Sequence, residues 1–248
     1  MATYGPDDVE LILLDGYDLA GYMTSLADGK EANIEETTTF SKSWAEYTFV
    51  GTKKGELSFS GYYDAANDAS NEALCEQVSA REVMYGVEGN ALGQTVTCMS
   101  GPIQGKFSRI PGRDEITKIS GELAVSGQID DALIVAPLTA RTTAANTDAT
   151  SLASAAASTA GGQIYLQMTD LNLGGYTNVI VKLRDSADNV TFGDVTGGAF
   201  TAVTAAPAAE KLTTSSSLTI KKYTSVSWAY TGSGSSQTCT FIVALKRN

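Results

Sequence analysis

Between residues 55 and 63 apolar and polar side chains alternate. Leu57, Phe59 and Tyr63 fall on one side, and Glu56, Ser58, Ser60 and Tyr62 on the other. A period of two marks a strand with one face buried. Residues 116–128 repeat the pattern, with Ile119, Leu123 and Val125 opposite Ser120, Glu122, Ala124, Ser126 and Gln128. Residues 31–38 also alternate: Glu31, Asn33, Glu35 and Thr37 face away from Ala32, Ile34, Glu36 and Thr38. Shorter apolar runs at 9–14, 82–87, 94–99, 105–110 and 133–136 read as further strands, the first as a buried one. One stretch has helical spacing. Ala66, Ala69, Ala73, Leu74 and Val78 predict a helix over 65–78 with Asp64 as its cap. Residues 40–54, polar and aromatic around Trp44, predict a long loop, and long loops between strands usually carry function.

Beyond residue 162 the pattern is all strand. Segments are expected at 163–169, 179–185, 190–192, 200–203, 210–213, 218–221, 224–230 and 238–245, separated by turns rich in Gly and Asp. Val179, Val181 and Leu183 alternate with Ile180, Lys182 and Arg184. Short, evenly spaced strands suit a jelly-roll-like sandwich. The expected fold is therefore mainly β. Residues 1–139 form a β-sandwich or half-barrel with one helix, and residues 162–248 an all-β sandwich. Residues 140–161, nearly all Ala, Thr and Ser, read as a linker spanning roughly 25 Å on average.

Charge strengthens this division. Residues 1–139 hold 22 acidic and 9 basic side chains, a net of −13, whereas residues 140–248 hold 6 and 8, a net of +2. Such asymmetry argues for two domains in different electrostatic settings. If few contacts cross the boundary, the second domain is dispensable for whatever the first assembles.

Composition removes the His-dependent enzyme classes, while carboxylate-pair chemistry stays possible. The chain has no histidine, so Ser-His-Asp and Cys-His nucleophilic sites and His-ligated metals are excluded. Cys75, Cys98 and Cys239 lie far apart in sequence and fit neither a zinc site nor a disulfide framework. Asp185, Asp188, Asn189 and Asp194 lack the spacing of a calcium loop and read as turn residues. The run 51–55, Gly-Thr-Lys-Lys-Gly, lacks the spacing and following helix of a phosphate loop. Lys53-Lys54 and Lys221-Lys222 are too small for a nucleic-acid footprint. Residues 1–8 are polar and acidic rather than a signal sequence, and no apolar run is long enough to span a membrane as a helix. The expectation is a non-enzymatic protein with no catalytic residue, cofactor or metal.

The opening VELILLDGYDLAGYMTSL, the loop sequence SKSWAEYTFVG and the strand GELSFSGYYDAAND resemble siphophage major tail proteins. The stretch VIVKLRDSADNVTFGDV and the segment AAEKLTTSSSLTIKKYTSVSWAYTGSGSSQTCTFIVALKRN look like the sandwich domain appended to some of them. The resemblance is one of composition and order, with no invariant signature.

The resemblance implies a bacteriophage tail tube subunit, found in the virion tail and assembled in the host cytoplasm. Hexameric rings of such subunits stack into a hollow tube for DNA ejection. The partners implied are further copies of the chain and other tail proteins, with DNA passing through the lumen unbound. The second domain would project outward, as decoration or toward a host-surface glycan. On this reading residues 40–54, with Lys42, Trp44, Glu46, Tyr47, Lys53 and Lys54, form the inter-ring loop. Residues 65–78 form the outer helix, and Glu35, Glu56 and Glu122 face the lumen, where acidic walls keep a polyanion from sticking. Two alternatives stand beside this one. The first is a capsid decoration protein. The second is a carbohydrate-binding or adhesin module using Tyr176, Phe192, Trp228 and Tyr230, although Trp228 in the alternating 226–228 row also suits a core position.

Overall fold

The computed structural model describes residues 10–40, 42–75, 80–113, 115–125, 127–148 and 150–248, without the side chains of Phe49, Val50 and Thr52. The first half contains β1 (Leu11–Leu14), β2 (Tyr17–Asp18), β3 (Met23–Glu36), β4 (Tyr47–Tyr62), α1 (Ser70–Cys75) and β5 (Glu82–Gly86). It continues with β6 (Thr95–Ser100), β7 (Ile103–Ile110), β8 (Lys118–Val125) and β9 (Ile129–Arg141). The second half contains β10 (Ala145–Thr147), β11 (Leu152–Ala153), β12 (Gly162–Asn172) and β13 (Asn178–Ser186). It ends with β14 (Gly193–Ala199), β15 (Ala208–Thr213), β16 (Tyr223–Thr231) and β17 (Thr238–Arg247). The fold is nearly all β, as the pattern predicts.

The strands form three sheets, and one of them belongs to both halves. Its order is β15-β12-β17-β9-β6-β5-β1-β2. It curls into a nearly closed barrel whose β1–β2 turn meets β12 and β15. There Gln167 accepts a hydrogen bond from the Gly16 N–H (2.6 Å) and donates one to the Glu82 carbonyl (3.0 Å). Gly16 is required at this seam: its φ is +89°, and a Cβ would lie 2.4 Å from the Ala208 nitrogen.

Adjacent residues of the barrel strands enter different cores. Leu11, Leu13, Met84, Val96, Cys98, Ala132, Ile134, Tyr165, Ile242 and Ala244 fill the barrel interior. Ile12, Leu14, Val83 and Tyr85 point outward to the four-stranded sheet β3-β4-β8-β7, meeting Leu57, Phe59, Ile119 and Leu123. Ile164, Leu166, Met168, Phe241 and Val243 point outward elsewhere, against Val179, Val181, Val226 and Trp228 of the sheet built on β10, β16, β13 and β14.

Several sequence-based boundaries move. The expected linker 140–161 carries the end of β9, then β10 and β11, both paired with β16, and a bridge from Ser158 to Ile220. Its two charges are held inside the structure. Arg141 is buried, ion-pairs with Asp148 (3.1 Å) and lies 3.7 Å over the Phe241 ring. Small polar side chains look featureless in sequence, yet their backbones pair readily. A cut near residue 140 therefore passes through the shared sheet, because β9 pairs with β17 along its length.

The helix begins at Ser70 rather than residue 65. Asp64 accepts from Ala66 N–H in a turn, and Asp68 has φ +58°, which helical backbone does not allow. Glu76, Gln77, Val78 and Ser79, the end of the expected helix, lie outside the described residues. Residues 190–192 form a turn rather than a strand. Asp188 accepts there from the Thr191 N–H (2.9 Å), the Ser186 hydroxyl (2.7 Å) and the Val190 N–H (3.0 Å). These bonds lower its pKa to about 2. Asp185 pairs with Lys221 and Asp194 with Lys182, so the carboxylates of this segment serve separate partners.

Candidate assembly surface

The four-stranded sheet is half finished. Its inner face is sealed by Leu57, Phe59, Ile119 and Leu123, each at most 6% exposed. Phe59 crosses Gly121, where a Cβ would sit 2.3 Å from the ring. The other face is bare. Ser108, Ser120, Ser60 and Ser25 register as one row across all four strands, and Ser25 and Ser60 hydrogen-bond at 2.8 Å. The next row is Lys106, Glu122, Ser58 and Ala27, and the one after holds the exposed Ile103 with Ala124, Glu56 and Gly29. The sequence periods of 55–63 and 116–128 thus assign both faces as expected.

Charge on the bare face is mixed. Glu56 and Glu122 share it, as their spacing predicts, but Lys106 and Lys118 accompany them. Lys106 pairs with Glu122 at 3.0 Å, both side chains being about 60% exposed (62% and 60%), which in water is worth about 0–1 kcal/mol. Glu35 is not brought to this group. It lies beyond a register irregularity between Ala32 and Ile34, paired with Thr48. Sequence reasoning missed Lys106 because its strand offers little contrast between faces, with Phe107 and Arg109 on one side and Lys106, Ser108 and Ile110 on the other.

Among the described residues both edges of this sheet are open: β3 pairs only with β4, and β7 only with β8. Open edges present unpaired backbone N–H and C=O groups, ready to pair with another chain.

The expected loop 40–54 is largely an arm. β4 pairs with β8 only from Gly55 onward, while Tyr47–Lys54 pairs with β3 alone. Eight residues at about 3.3 Å each project roughly 26 Å as a two-stranded ribbon, a form marginally stable in water without support. Residues 31–36 were expected as a strand and form part of β3; Tyr47–Lys54 was not expected as one, because its described side chains are exposed and no apolar alternation arises. The loop proper is the stretch 37–46. Trp44 at its tip is 84% exposed, and Phe40, Ile34 and Tyr47 are exposed beside it. Lys42 and Glu46 pair at 2.8 Å. Lys53 and Lys54 sit instead at the arm's root, lining a cleft of about 830 Å³ with Lys30, Gly55 and Ile129. Of the expected inter-ring residues, Lys42, Trp44, Glu46 and Tyr47 are therefore together at the arm's end, and the two lysines are apart from them.

The aromatic residues of the second half form no sugar-stacking platform. Trp228 and Tyr230 are buried, Tyr176 packs on Tyr230 at 5.2 Å between ring centroids, and Phe192 is half-buried. The Trp228 indole N–H donates to the Thr143 carbonyl (3.1 Å), so both its apolar and polar parts are satisfied internally.

No protein-family profile and no curated protein matches the sequence. Solved structures resemble it in shape. A chain from the virion of a native gene transfer agent particle matches with a TM-score of 0.42 and 13% identity, covering 52% of this chain and 98% of the other. A chain from the tail of an empty gene transfer agent particle, with C6 symmetry, matches with a TM-score of 0.41 and 12% identity, again over 52% and 98%. The Dit protein of SPP1, described as a paradigm of the hub adsorption apparatus in phages infecting Gram-positive hosts, has a TM-score of 0.33 and 13% identity. It covers 96% of this chain and 98% of its own. At this identity the functional reading rests on the chain's own surfaces.

Proposed function

We propose that the protein is a structural subunit of a phage tail, assembling with copies of itself into rings that stack as the tail tube. The observation that carries this reading is the four-stranded sheet with one sealed face, one bare polar face and two open edges. Among the described residues of a lone subunit, the outer edges of β3 and β7 are unpaired. Joining β3 of one copy to β7 of the next satisfies both edges and repeats around a ring. The sequence resemblance supplies the expected six-fold ring and the virion location.

On closure the bare faces line the lumen. A surface of serines, small residues and balanced charges, with Glu56 and Glu122 among them and Ile103, Tyr62 and Ile110 in its outer rows, offers a passing polyanion few places to hold. It works as a non-stick wall through low affinity rather than strong repulsion. Glu35 belongs to the arm in this arrangement.

Negative-stain electron microscopy of the purified full-length protein, alone and co-expressed with tail assembly partners, tests the reading. Rings or tubes with a central channel are expected. A protein that stays monomeric under both conditions would refute it.

A further inference from the structure

The arm leaves the four-stranded sheet at the Gly55 end. At the Tyr62 end, roughly 24 Å away at about 3.4 Å per residue, the β7–β8 turn carries its own exposed apolar pair, Ile110 (57%) and Ile116 (65%). The two patches are opposite in charge. Residues 33–48 hold Glu35, Glu36 and Glu46 against Lys42, a net of −2. Residues 109–118 hold Arg109, Arg113 and Lys118 against Asp114 and Glu115, a net of +1. Some of these charges are already engaged. Glu46 pairs with Lys42, Lys118 with Glu115, and Arg109 donates to Asn71. Among the described residues Glu35, Glu36 and Arg113 have no ion-pair partner.

We infer that the arm's end docks on the β7–β8 turn of a second copy, with Trp44 and Ile34 covering Ile110 and Ile116, and Glu35 and Glu36 meeting Arg113. The patches lie at opposite ends of one rigid sheet, so they cannot meet within a molecule. A contact between different surfaces of identical chains is head-to-tail, and it repeats without limit unless it closes. This is the axial direction that side-by-side joining of β3 and β7 leaves unfilled. Arm-to-arm pairing is opposed by like charge. The contact also supplies the support that a two-stranded ribbon lacks. The inference rests on the proposed self-assembly and names the partner surface of the arm.

Disulfide trapping tests it in the full chain carrying Cys75→Ser, since Cys75 is exposed while Cys98 and Cys239 are buried. Trp44→Cys and Ile116→Cys variants are mixed, assembled and mildly oxidised. A disulfide-linked dimer is expected from the mixture and not from either variant alone. A charge exchange provides a second reading. Arg113→Glu should lower the sedimenting polymer at least tenfold while leaving folding by circular dichroism intact. Adding Glu35→Arg and Glu36→Arg to the same chain should recover most of the polymer. Assembled rings or tubes without the mixed dimer, a dimer from Trp44→Cys alone, or no recovery on charge exchange would overturn this inference but not self-assembly. A wild-type chain that never assembles would overturn both.

Discussion

The barrel and the four-stranded sheet are built from the same residue types, yet one is finished and the other is not. In the barrel, alternate residues of a strand enter two different cores: Phe241 and Val243 face the second sandwich while Ile242 and Ala244 fill the interior. In the four-stranded sheet, Leu57 and Phe59 are sealed, while Glu56 and Ser58 are exposed. A sheet covered on both faces has satisfied its hydrophobic demand within one chain. A sheet with one bare face and two open edges has backbone groups left to pair. The difference places the fully covered sheet in the barrel, and the proposed association falls to the open sheet.

The barrel is also where the two halves are tied. Asp130 of β9 is fully buried. It accepts from Lys246 of β17 (2.6 Å) and from the Tyr165 hydroxyl of β12, with Lys211 of β15 at 3.8 Å. All three partners belong to the second half. An acidic half and a slightly basic half thus meet at a buried charge cluster, and the charge asymmetry does not mark independent units.

The sharpest way to break the comparison is truncation. A chain ending at Ala140 loses β12, β15 and β17 and leaves β9 as an exposed, largely apolar edge. We expect it to aggregate or to lose cooperative thermal unfolding, measured by circular dichroism and scattering. A soluble fragment that melts cooperatively and forms rings would restore the view of two separable domains.

A smaller effect should follow from Asp130→Ala, which strands Lys246 and Lys211 beside apolar walls. Removing one partner of a buried pair costs about 3–5 kcal/mol, read as a lower urea midpoint. Glu122→Ala on the bare face should change the midpoint by less than about 1 kcal/mol. Equal losses at the two positions would contradict the contrast between covered and open sheets.

The smallest expected effect is a pH dependence in the barrel. Burial raises the Glu82 pKa to about 7, against the opposing hydrogen bond from Ser100 and the charge of Lys211, with Asp15 adding to the rise. An acid with a folded-state pKa above its unfolded value contributes stability that is complete below about pH 4.5 and is lost as pH rises through about 7. Chemical denaturation at pH 5 and pH 8 should therefore show a decline for the wild type that Glu82→Gln reduces. An unchanged decline would assign the titration elsewhere.

Much of this was legible in the sequence. The alternation at 55–63 and 116–128 fixed the two faces of the open sheet, because one buried face imposes a period of two. The missing histidine set aside the His-dependent chemistries, and the Asp- and Gly-rich turns separated the strands of the second half. Runs such as 242–245 and 164–166 also stood out as strands, although their double burial was not foreseen.

Only the tertiary structure decided the rest. Whether β9 pairs with β17 is a question of long-range register, and local periodicity carries no record of which strand lies alongside which. The return strand of the arm was hidden because its described side chains are exposed, so nothing constrains them to alternate. The stretch 140–161 was hidden because backbone hydrogen bonds need no particular side chain. Sequence by itself determined the faces of the open sheet and the lack of histidine. Folding determined the partners, because pairing joins residues a hundred positions apart through backbone groups that every residue except proline carries in full.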